Sequence, residues 1–288
     1  MKTSVSRKGV DSGTRSGRMA SPILPCGCLC SIPIPYEKSE VRYSDVKFGA
    51  RNLWEISKDL APNRAGGLTH LDPDLRYNAL ASRPKGWRPA FGQSGVAASV
   101  LIKHGVDKGS LFIFFGWFRR TIVSGGKLRF DPSDSHGRHI VFGWLEVGEV
   151  VDKRQLRSDL SFLEDHPHVR YFEEETPPNR IYVSSEGGLK AGVFASEAES
   201  IVLTAEGGPR SRWLLDEAFE SLSVERDLTY HGKEARWDKQ GNKIALQSVG
   251  RGQEFVFDGD RHTGAKNYFV QRIRATLSKT SRPCSHVF

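Results

Sequence analysis

Two long apolar segments in the middle of the chain constrain its fold more than any other feature. They read LFIFFGWF at 111–118 and IVFGWLEVGEVV at 140–151, and each contains Phe-Gly-Trp. The first run is far shorter than the roughly 20 residues of a membrane-spanning helix. Because glycine inside a strand typically marks a bend or a close backbone approach, the pair predicts neighbouring strands of a small curved sheet or closed barrel.

The sequence around these strands mixes helical and extended patterns, which predicts the α+β class. Apolar residues at helical spacing, with a glycine after one of them, indicate helices that flank the sheet. Further short apolar runs bounded by polar residues indicate additional strands. The predicted helices lie within 43–60, 74–81, 93–104 and 267–277, and the further strands at 179–186 and 252–260.

The distribution of Gly, Ser and Pro along the chain predicts how the chain is organised. Residues 1–36 are rich in Gly, Ser and Pro, and they predict an irregular N-terminal arm. No long low-complexity linker interrupts the remainder, so we expect a single domain over 1–277 and a disordered tail over 278–288.

The net charge of +8 is concentrated in one half of the chain. Residues 1–150 hold nine more basic than acidic residues, whereas residues 151–288 hold one more acidic than basic residue. This asymmetry favours a polyanion or a phosphate-bearing molecule as partner, although dispersed surface lysines give similar totals. A nucleotide or nucleic acid is therefore the expected partner, and an ordinary basic surface is the alternative.

The N-terminus and the cysteines predict a cytoplasmic location with no membrane partner. The first residues are polar and basic and lack the apolar stretch of a secretory signal. Cys26, Cys28 and Cys30 alternate, which in an extended segment puts the thiols on one face, whereas zinc sites usually use Cys-x2-4-Cys. We interpret these cysteines as small apolar residues in a reduced protein.

A basic motif near the N-terminus is a candidate phosphate site. SRKGVDS at 6–12 combines Arg7, Lys8 and Asp11 with a glycine and hydroxyl groups. Donors at this density can hold a phosphate, but an ordinary basic N-terminus has the same composition. The motif does not have the spacing of a P-loop.

Two histidine-containing motifs are candidates for catalysis. HLDPD places His70 with Asp72 and Asp74, which suits metal binding or acid–base work, yet Asp-Pro-Asp is also a good helix start with Asp72 as the cap. In HPH, His166 and His168 suit a polar lining or a phosphate contact better than a metal pair. The motifs leave the cofactor unknown, and the familiar nucleophile, zinc-hydrolase and dinucleotide motifs are not found.

The aromatic residues of the strands admit two interpretations. Phe115 and Trp117 share a face of one strand, and Phe142 and Trp144 share a face of the other strand. Each triplet therefore offers one ring on each side of a glycine. Flat rings of this kind can stack on a base. Packing in the core is their commoner use.

Ten motifs in order resemble the nucleotide modification associated domain 3 family. They are SRKGVDS, SPILP-x-G, SIPIP, HLDPDL, GWRPAFGQ, FFGWFR, HIVFGWLEVGEV, HPHV, NRIYV and GQEFV, and they span residues 5–260. The resemblance implies a role in systems that modify nucleic-acid bases, without implying a defined reaction. Cys26-Gly27 stands where the family has an Asp-Gly turn, and Gly109-Ser110 where it has Gly-Asp, so neither position is expected to be catalytic.

The layout of the strands is also similar to small PUA-like barrels of the EVE, ASCH and YTH groups, which hold single bases in aromatic pockets. This likeness is one of pattern only. It extends the expected fold class to an α+β protein with a PUA-like β-barrel core, flanking helices and an irregular N-terminal arm.

Two hypotheses of function follow, with a third in which all the aromatics are core. In the first, the protein binds a base or nucleotide. Stacking is then assigned to Trp87, Trp117 and Trp144, phosphate contact to Arg7, Lys8, Arg88 and Arg119, base-edge contact to Gln93, His139 and His166, and a polar contact to His168. In the second, an enzyme uses Arg7, Lys8, Asp11, His70, Asp72 and Asp74 around a nucleotide, with Mg²⁺ as an option. That enzyme requires the SRKGVD and HLDPD segments to meet in one cleft.

Overall fold

The structure is a computed structural model that describes residues 1–13, 19–62, 67–152, 160–170, 178–250 and 252–279. Within these residues the helices are α1 (Leu53–Leu60), α2 (Gly95–Lys103), α3 (Pro167–Arg170), α4 (Glu220–Glu225) and α5 (Thr263–Leu277). The strands are β1 (Lys2–Arg7), β2 (Ser21–Ile23), β3 (Lys47–Phe48), β4 (Arg51–Asn52), β5 (Ala90–Ser94), β6 (Leu111–Ser124), β7 (Lys127–Phe130), β8 (Arg138–Asp152), β9 (Asn179–Ser184), β10 (Ala191–Val193), β11 (Arg212–Asp216), β12 (Trp237–Gln240), β13 (Lys243–Gln247) and β14 (Glu254–Asp258).

The main sheet is built around the two apolar segments, β6 and β8, which pair antiparallel. Its strands lie in the order β14-β1-β6-β8-β9-β5, with β1 parallel to β6 and the other neighbours antiparallel. β2 and β7 extend the pairing of β6, and β10 pairs with β8. The sheet curls into a half-barrel, and its register shifts at Phe114/Phe115, in agreement with a bulge that increases local bending.

The two edges of the curled sheet are connected by side chains and a helix. Gln93 on β5 donates a hydrogen bond from Nε2 to Oε1 of Glu254 on β14, at 2.7 Å. Helix α2 contacts both β5 and β14. The curl therefore brings the first and last parts of the sheet close together, although their backbones do not pair.

The main sheet is packed on both faces. On one face, the rings of Phe91, Phe112, Phe114 and Tyr182 contact one another, with centroids 4.9–6.0 Å apart. On the other, Phe115 packs edge-on against Trp213 of a second sheet, whose order is β11-β13-β12. Since both faces of the sheet are covered, the residues at the start of β6 are continuously apolar and do not alternate with polar residues.

The predicted α+β class with a curved sheet is confirmed, and the differences lie in local elements. Residues 74–81 form no α-helix but only a 3-10 turn at Tyr77–Ala79, while α2 begins at Gly95 because 90–94 form strand β5. The N-terminal region starts with strand β1 inside the main sheet before its irregular part.

Three expectations about the chain's organisation and surroundings remain predictions. Most of the predicted tail, from residue 280 onward, lies outside the described residues. The single domain over 1–277 and the cytoplasmic location stay predictions as well. Among the described helices, none has both the length and the apolar character needed to cross a membrane.

Candidate functional site

The HLDPD segment runs alongside edge strand β5. Asp74 and Ala90 exchange backbone hydrogen bonds of 2.9 and 3.0 Å, and Asp72 Oδ1 accepts a hydrogen bond from the Gly92 backbone N–H at 2.7 Å. The carboxylate of Asp72 is thus fixed against the sheet. The expected helix cap at Asp72 is wrong, because the 3-10 turn of this region starts later, after Arg76.

The HPH segment brings two imidazoles to the same carboxylate. His166 Nε2 lies 3.4 Å from Asp72 Oδ1, and His168 Nε2 lies 3.9 Å from Asp72 Oδ2. The ring of His70 meets that of His168 edge-on, with centroids 5.0 Å apart. We call these four buried residues, His70, Asp72, His166 and His168, the histidine–aspartate centre.

Gly92 makes this approach possible. A Cβ atom at this position would lie 2.3 Å from ring atoms of His168, a separation that no side chain can occupy. The absence of a side chain on β5 therefore lets the imidazole lie directly on the strand backbone.

Hydrogen bonds determine which nitrogen of His168 carries the proton. Asn179 Nδ2 donates to the His168 carbonyl oxygen at 2.9 Å, which directs its Oδ1 to His168 Nδ1 at 2.8 Å. An amide oxygen only accepts, so Nδ1 of His168 holds the hydrogen and Nε2, on the side of Asp72, holds the lone pair in the neutral ring.

The electrostatics of the centre keep His70 and His168 neutral and Asp72 charged. Burial, opposed by the Asp72 charge, lowers the pKa of His70 to about 4 and that of His168 to about 3. Burial by itself would raise the pKa of Asp72, but the nearby imidazoles, His166 first, lower it to about 2. At neutral pH Asp72 therefore carries a negative charge beside the neutral rings of His70 and His168.

An ion pair supports the centre from one side. Arg83, whose side chain is fully buried, donates to both carboxylate oxygens of Asp74 at 2.6 and 2.7 Å and to Asp165 at 2.9 Å. The guanidinium also lies over the Trp87 ring, 4.4 Å from its centroid. Burial raises the pKa of Asp74, with Arg83 opposing it. Asp74 is thus committed to a structural pair that joins the HLDPD and HPH segments.

A second buried carboxylate organises the start of the chain. Glu254 accepts hydrogen bonds from Ser4, Ser6, Lys8 and Gln93 at 2.7–3.0 Å. Lys8 Nζ also lies over the Phe91 ring at 4.2 Å, and its charge contributes to the low pKa of His70. Lys8 and Gln93 are therefore engaged inside the protein, beside the centre.

A cavity of about 740 Å³, which we call the main cavity, has Asp72 of the histidine–aspartate centre in its lining, whereas the three histidines lie behind Asp72 and do not line it. Gly9 of the SRKGVD segment and Asp72 of the HLDPD segment both line it. Both motifs thus contribute a residue to one cavity, but Arg7 and Asp11, which the enzyme hypothesis places with Asp72, line a different one. The volume lies within the usual range for small-molecule sites.

A second cavity, of about 540 Å³, lies around Trp117, and we call it the Trp117 cleft. Its lining includes Arg7, Asp11, Ser12, Trp117, His139 and Arg210. Arg210 lies over the Trp117 ring at 4.3 Å and pairs with Asp11 at 3.4 Å. Arg7 donates to the carbonyl oxygens of Val249 and Gly250, and its buried Nε has no hydrogen-bond partner among the described residues.

Comparison with known proteins identifies the family. The family model "nucleotide modification associated domain 3" matches residues 2–258, most of the 288-residue chain. The chain belongs to this family. No curated protein and no solved structure matches it.

Family membership confirms the resemblance of the ten ordered motifs and gives the chain a connection with nucleotide modification. The resemblance to PUA-like barrels has no such support, because no solved structure matches the chain. Several family motifs, SRKGVDS, HLDPDL, GWRPAFGQ, HPHV and NRIYV, contribute residues to the histidine–aspartate centre and its supports.

The remaining predicted binding residues lie elsewhere. Trp144 is 1% exposed, donates to the Leu189 carbonyl at 2.9 Å and packs against Phe194, so its ring has no face open to a base. Arg88 pairs with Glu149 at 2.5 Å, and Arg119 donates to the Asp134 carbonyl at 2.7 Å. Trp87 remains with Asp74 and Arg83.

Several residues of both sites were not anticipated from the sequence. Gly92, Asn179 and Arg83 shape the centre, Glu254 holds Lys8, and Arg210 covers Trp117. The sequence offers a signal only for Asn179, Gly92 and Glu254, which stand within the NRIYV, GWRPAFGQ and GQEFV motifs. The others become visible only when distant segments are brought together.

Proposed function

We propose that the protein binds a nucleotide or nucleic-acid base in the main cavity and modifies it at the histidine–aspartate centre. The observation that carries this proposal is the convergence of three buried imidazoles on the charged Asp72, the one residue of the centre that lines the main cavity. Nearby titratable groups with strongly shifted pKa values are typical of reaction centres. Family membership supports the substrate class.

The centre can supply acid–base chemistry. The neutral His168 ring has its lone pair on Nε2, which can accept a proton, and the Asp72 charge stabilises the imidazolium that results. His166 accepts a hydrogen bond at Nδ1 from the His168 backbone N–H at 3.3 Å, so its Nε2 is the protonated nitrogen on the side of Asp72. One side of the carboxylate thus faces a proton donor and the other a proton acceptor.

Asp72→Asn is the sharpest test of this function. The asparagine oxygen can still accept the Gly92 hydrogen bond, so the change removes the charge and keeps the local fold. Nucleosides from DNA, RNA and the free pool are measured by mass spectrometry in cells that express the wild-type chain, the variant, or neither. We expect one modified nucleoside to depend on the wild-type chain and to be absent with Asp72→Asn; equal levels with the variant would refute the assignment of the centre.

A second candidate function is recognition without chemistry in the Trp117 cleft. It is favoured by the partly exposed Trp117 ring beside Arg7 and Arg210, since a flat ring and cations suit a base and its phosphate. If no nucleoside changes in the cells, yet the purified chain binds nucleotides and loses that binding with Trp117→Ala, recognition replaces catalysis as the function.

A further inference from the structure

The histidine–aspartate centre has the donor set of a transition-metal site. His70, Asp72 and His168 each offer one ligand atom, and these atoms lie within 4.8 Å of one another. All three side chains are buried, and that of Asp72 is 4% exposed. We propose that the centre binds one divalent ion of the Zn²⁺ or Fe²⁺ class through these residues; the inference rests on the proposed function and changes one role in it, because an ion on His168 Nε2 occupies that lone pair and passes proton acceptance to an ion-bound water.

The identity of the donors selects the class of ion. Two imidazole nitrogens and one carboxylate oxygen suit Zn²⁺ and non-haem Fe²⁺, whereas Mg²⁺ and Ca²⁺ prefer oxygen ligands. Three protein ligands also leave coordination positions for water or substrate, as catalytic sites require. The Mg²⁺ option raised by the sequence is therefore not the one that this geometry favours.

The hydrogen bonds behind the ligands match those of metal sites. A metal-binding histidine usually donates its other ring N–H to an oxygen, which fixes its orientation. Asn179 Oδ1 performs this role for His168 at 2.8 Å, leaving Nε2 directed to Asp72. Gly92 likewise fixes Asp72 through Oδ1, so the other carboxylate oxygen, Oδ2, is the one that faces His168.

A second observation points to a ligand independently. His166 Nε2 is buried without a hydrogen-bond partner among the described residues, although it lies only 3.4 Å from Asp72 Oδ1. A buried polar atom in this condition is costly. Movement of Asp72 and His168 toward an ion, to the roughly 3.0–3.4 Å ligand spacing of a metal site, would allow the carboxylate to adjust and accept this N–H. His166 is accordingly a positioning residue and not a ligand.

The test measures metal content and does not depend on activity. The full chain is purified without a histidine tag, stripped with a chelator, and equilibrated under reducing conditions with Zn²⁺, Co²⁺ or Mg²⁺, and with Fe²⁺ in the absence of oxygen. Metal per chain is measured after gel filtration, and the visible spectrum of Co²⁺ reports nitrogen and oxygen coordination. We expect about one equivalent of Zn²⁺ or Co²⁺, with no retained Mg²⁺.

The variants separate ligands from their supports. Asp72→Asn and His168→Gln should weaken metal binding more than about hundredfold, whereas Asn179→Ala should weaken it by about ten- to a hundredfold. His166→Gln, which keeps an N–H donor, should change it less than tenfold, and His104→Gln, at an exposed histidine, should not change it. Circular dichroism checks that each variant is folded, and a rise of the wild-type melting temperature with Zn²⁺ provides a readout without any substitution.

The outcomes distinguish the metal from the proposed function. Failure of the folded wild-type chain to retain Zn²⁺, Co²⁺ or Fe²⁺, or equal retention by Asp72→Asn and His168→Gln, overturns the metal site. If the metal binds as expected but no nucleoside depends on Asp72 in cells, the metal site stands and the proposed function fails. If a nucleoside depends on Asp72 while no metal is retained, the function stands and the metal is rejected.

Discussion

The histidine–aspartate centre and the Trp117 cleft both use the segment that follows β1, yet they are built differently. In the centre, every predicted polar side chain is buried and is oriented by the protein, as Asp72 is by Gly92 and His168 by Asn179. In the cleft, Trp117 and Arg210 are partly exposed, and Arg7 donates to two carbonyl oxygens and lies over the rings of Phe115 and Phe255. The centre is therefore suited to chemistry, which needs fixed groups, and the cleft to binding, which can use adjustable ones.

This contrast predicts different consequences of substitution in the two regions. Changes at the centre and its supports should lower the free energy of unfolding, because they leave buried polar groups without partners. Changes in the cleft should lower affinity for a ligand with little effect on folding.

The largest expected effect comes from Arg83→Met, which breaks the ion pair that supports the centre. Arg83 is fully buried between Asp74 and Asp165, so its loss leaves buried carboxylates without their cation. We expect a decrease of about 3–5 kcal/mol in the free energy of unfolding, measured by urea denaturation at pH 7.

Arg88→Met is the matched control for this experiment. Arg88 also pairs with a carboxylate, Glu149, and lies over an aromatic ring, Phe162, but its side chain and that of Glu149 are 26% and 44% exposed. Exposed pairs contribute about 0–1 kcal/mol. If Arg83→Met and Arg88→Met lower the free energy of unfolding by similar amounts, the buried ion pair beside the centre is no more important for stability than an exposed pair.

A smaller effect is expected from Gly92→Ala. The new Cβ would lie 2.3 Å from the His168 ring, so either the ring or β5 must move, at a cost of about 1–3 kcal/mol. Gly187→Ala, where a Cβ meets no atom within 4 Å, should be nearly neutral. Urea midpoints give the comparison, and unchanged nucleotide affinity in the Trp117 cleft would show that the damage is confined to the centre.

The sequence predicted the strands and the candidate motifs better than it predicted which aromatic ring is accessible. Trp117 and Trp144 stand in identical Phe-Gly-Trp triplets on paired strands, and no local pattern separates them. The difference is tertiary. Strand β10 covers Trp144, with Gly192 opposite it, whereas Trp117 lies between the segments of β6 that pair with β1 and with β2.

The centre illustrates the same limit in another way. His70 and Asp72 were candidates because they are neighbours in one motif, and His166 and His168 because they are neighbours in another. The two motifs come together because of Gly92 and Asn179, residues whose side chains do not suggest catalysis or metal binding. Sequence patterns identified reactive residue types, and the curled sheet determined which of them meet.

The cleft itself is tested by Trp117→Ala. If the ring stacks on a base, its loss should weaken nucleotide binding by about 1–2 kcal/mol, or about five- to thirtyfold, with little change in stability. Trp54→Ala is the matched control, because Trp54 is 36% exposed and has Lys58 over its ring at 4.7 Å, but lies on helix α1. Fluorescence or calorimetric titration with nucleotides measures the affinity, and equal affinities of the two variants would remove the cleft from the binding site.

The smallest expected effect is a pH dependence that arises behind the cleft, at His139. This ring is buried, its Nδ1 accepts a hydrogen bond from Trp213 at 2.9 Å, and it faces the cations Arg7 and Arg210. Burial, followed by these two charges, lowers its pKa well below 6.5. The unfolded chain therefore takes up a proton near pH 6.5 that the folded chain refuses, so stability must fall as the pH is lowered below 6.5.

Only a difference between variants isolates this contribution, because burial also lowers the pKa of His70, His168 and His231, and each of them adds a slope of the same sign. Between pH 6.5 and 5.5, one such histidine contributes about 1 kcal/mol to the loss of stability. His139→Asn should be less stable than the wild type at pH 7 but lose about 1 kcal/mol less over this interval in urea denaturation, whereas the exposed His104→Asn should keep the full slope. If His139→Asn lost as much stability between pH 6.5 and 5.5 as the wild type, the folded protein would have to accept the His139 proton. Water and the arginines of the cleft would then stabilise the imidazolium, and the cleft would extend deeper than its lining residues indicate.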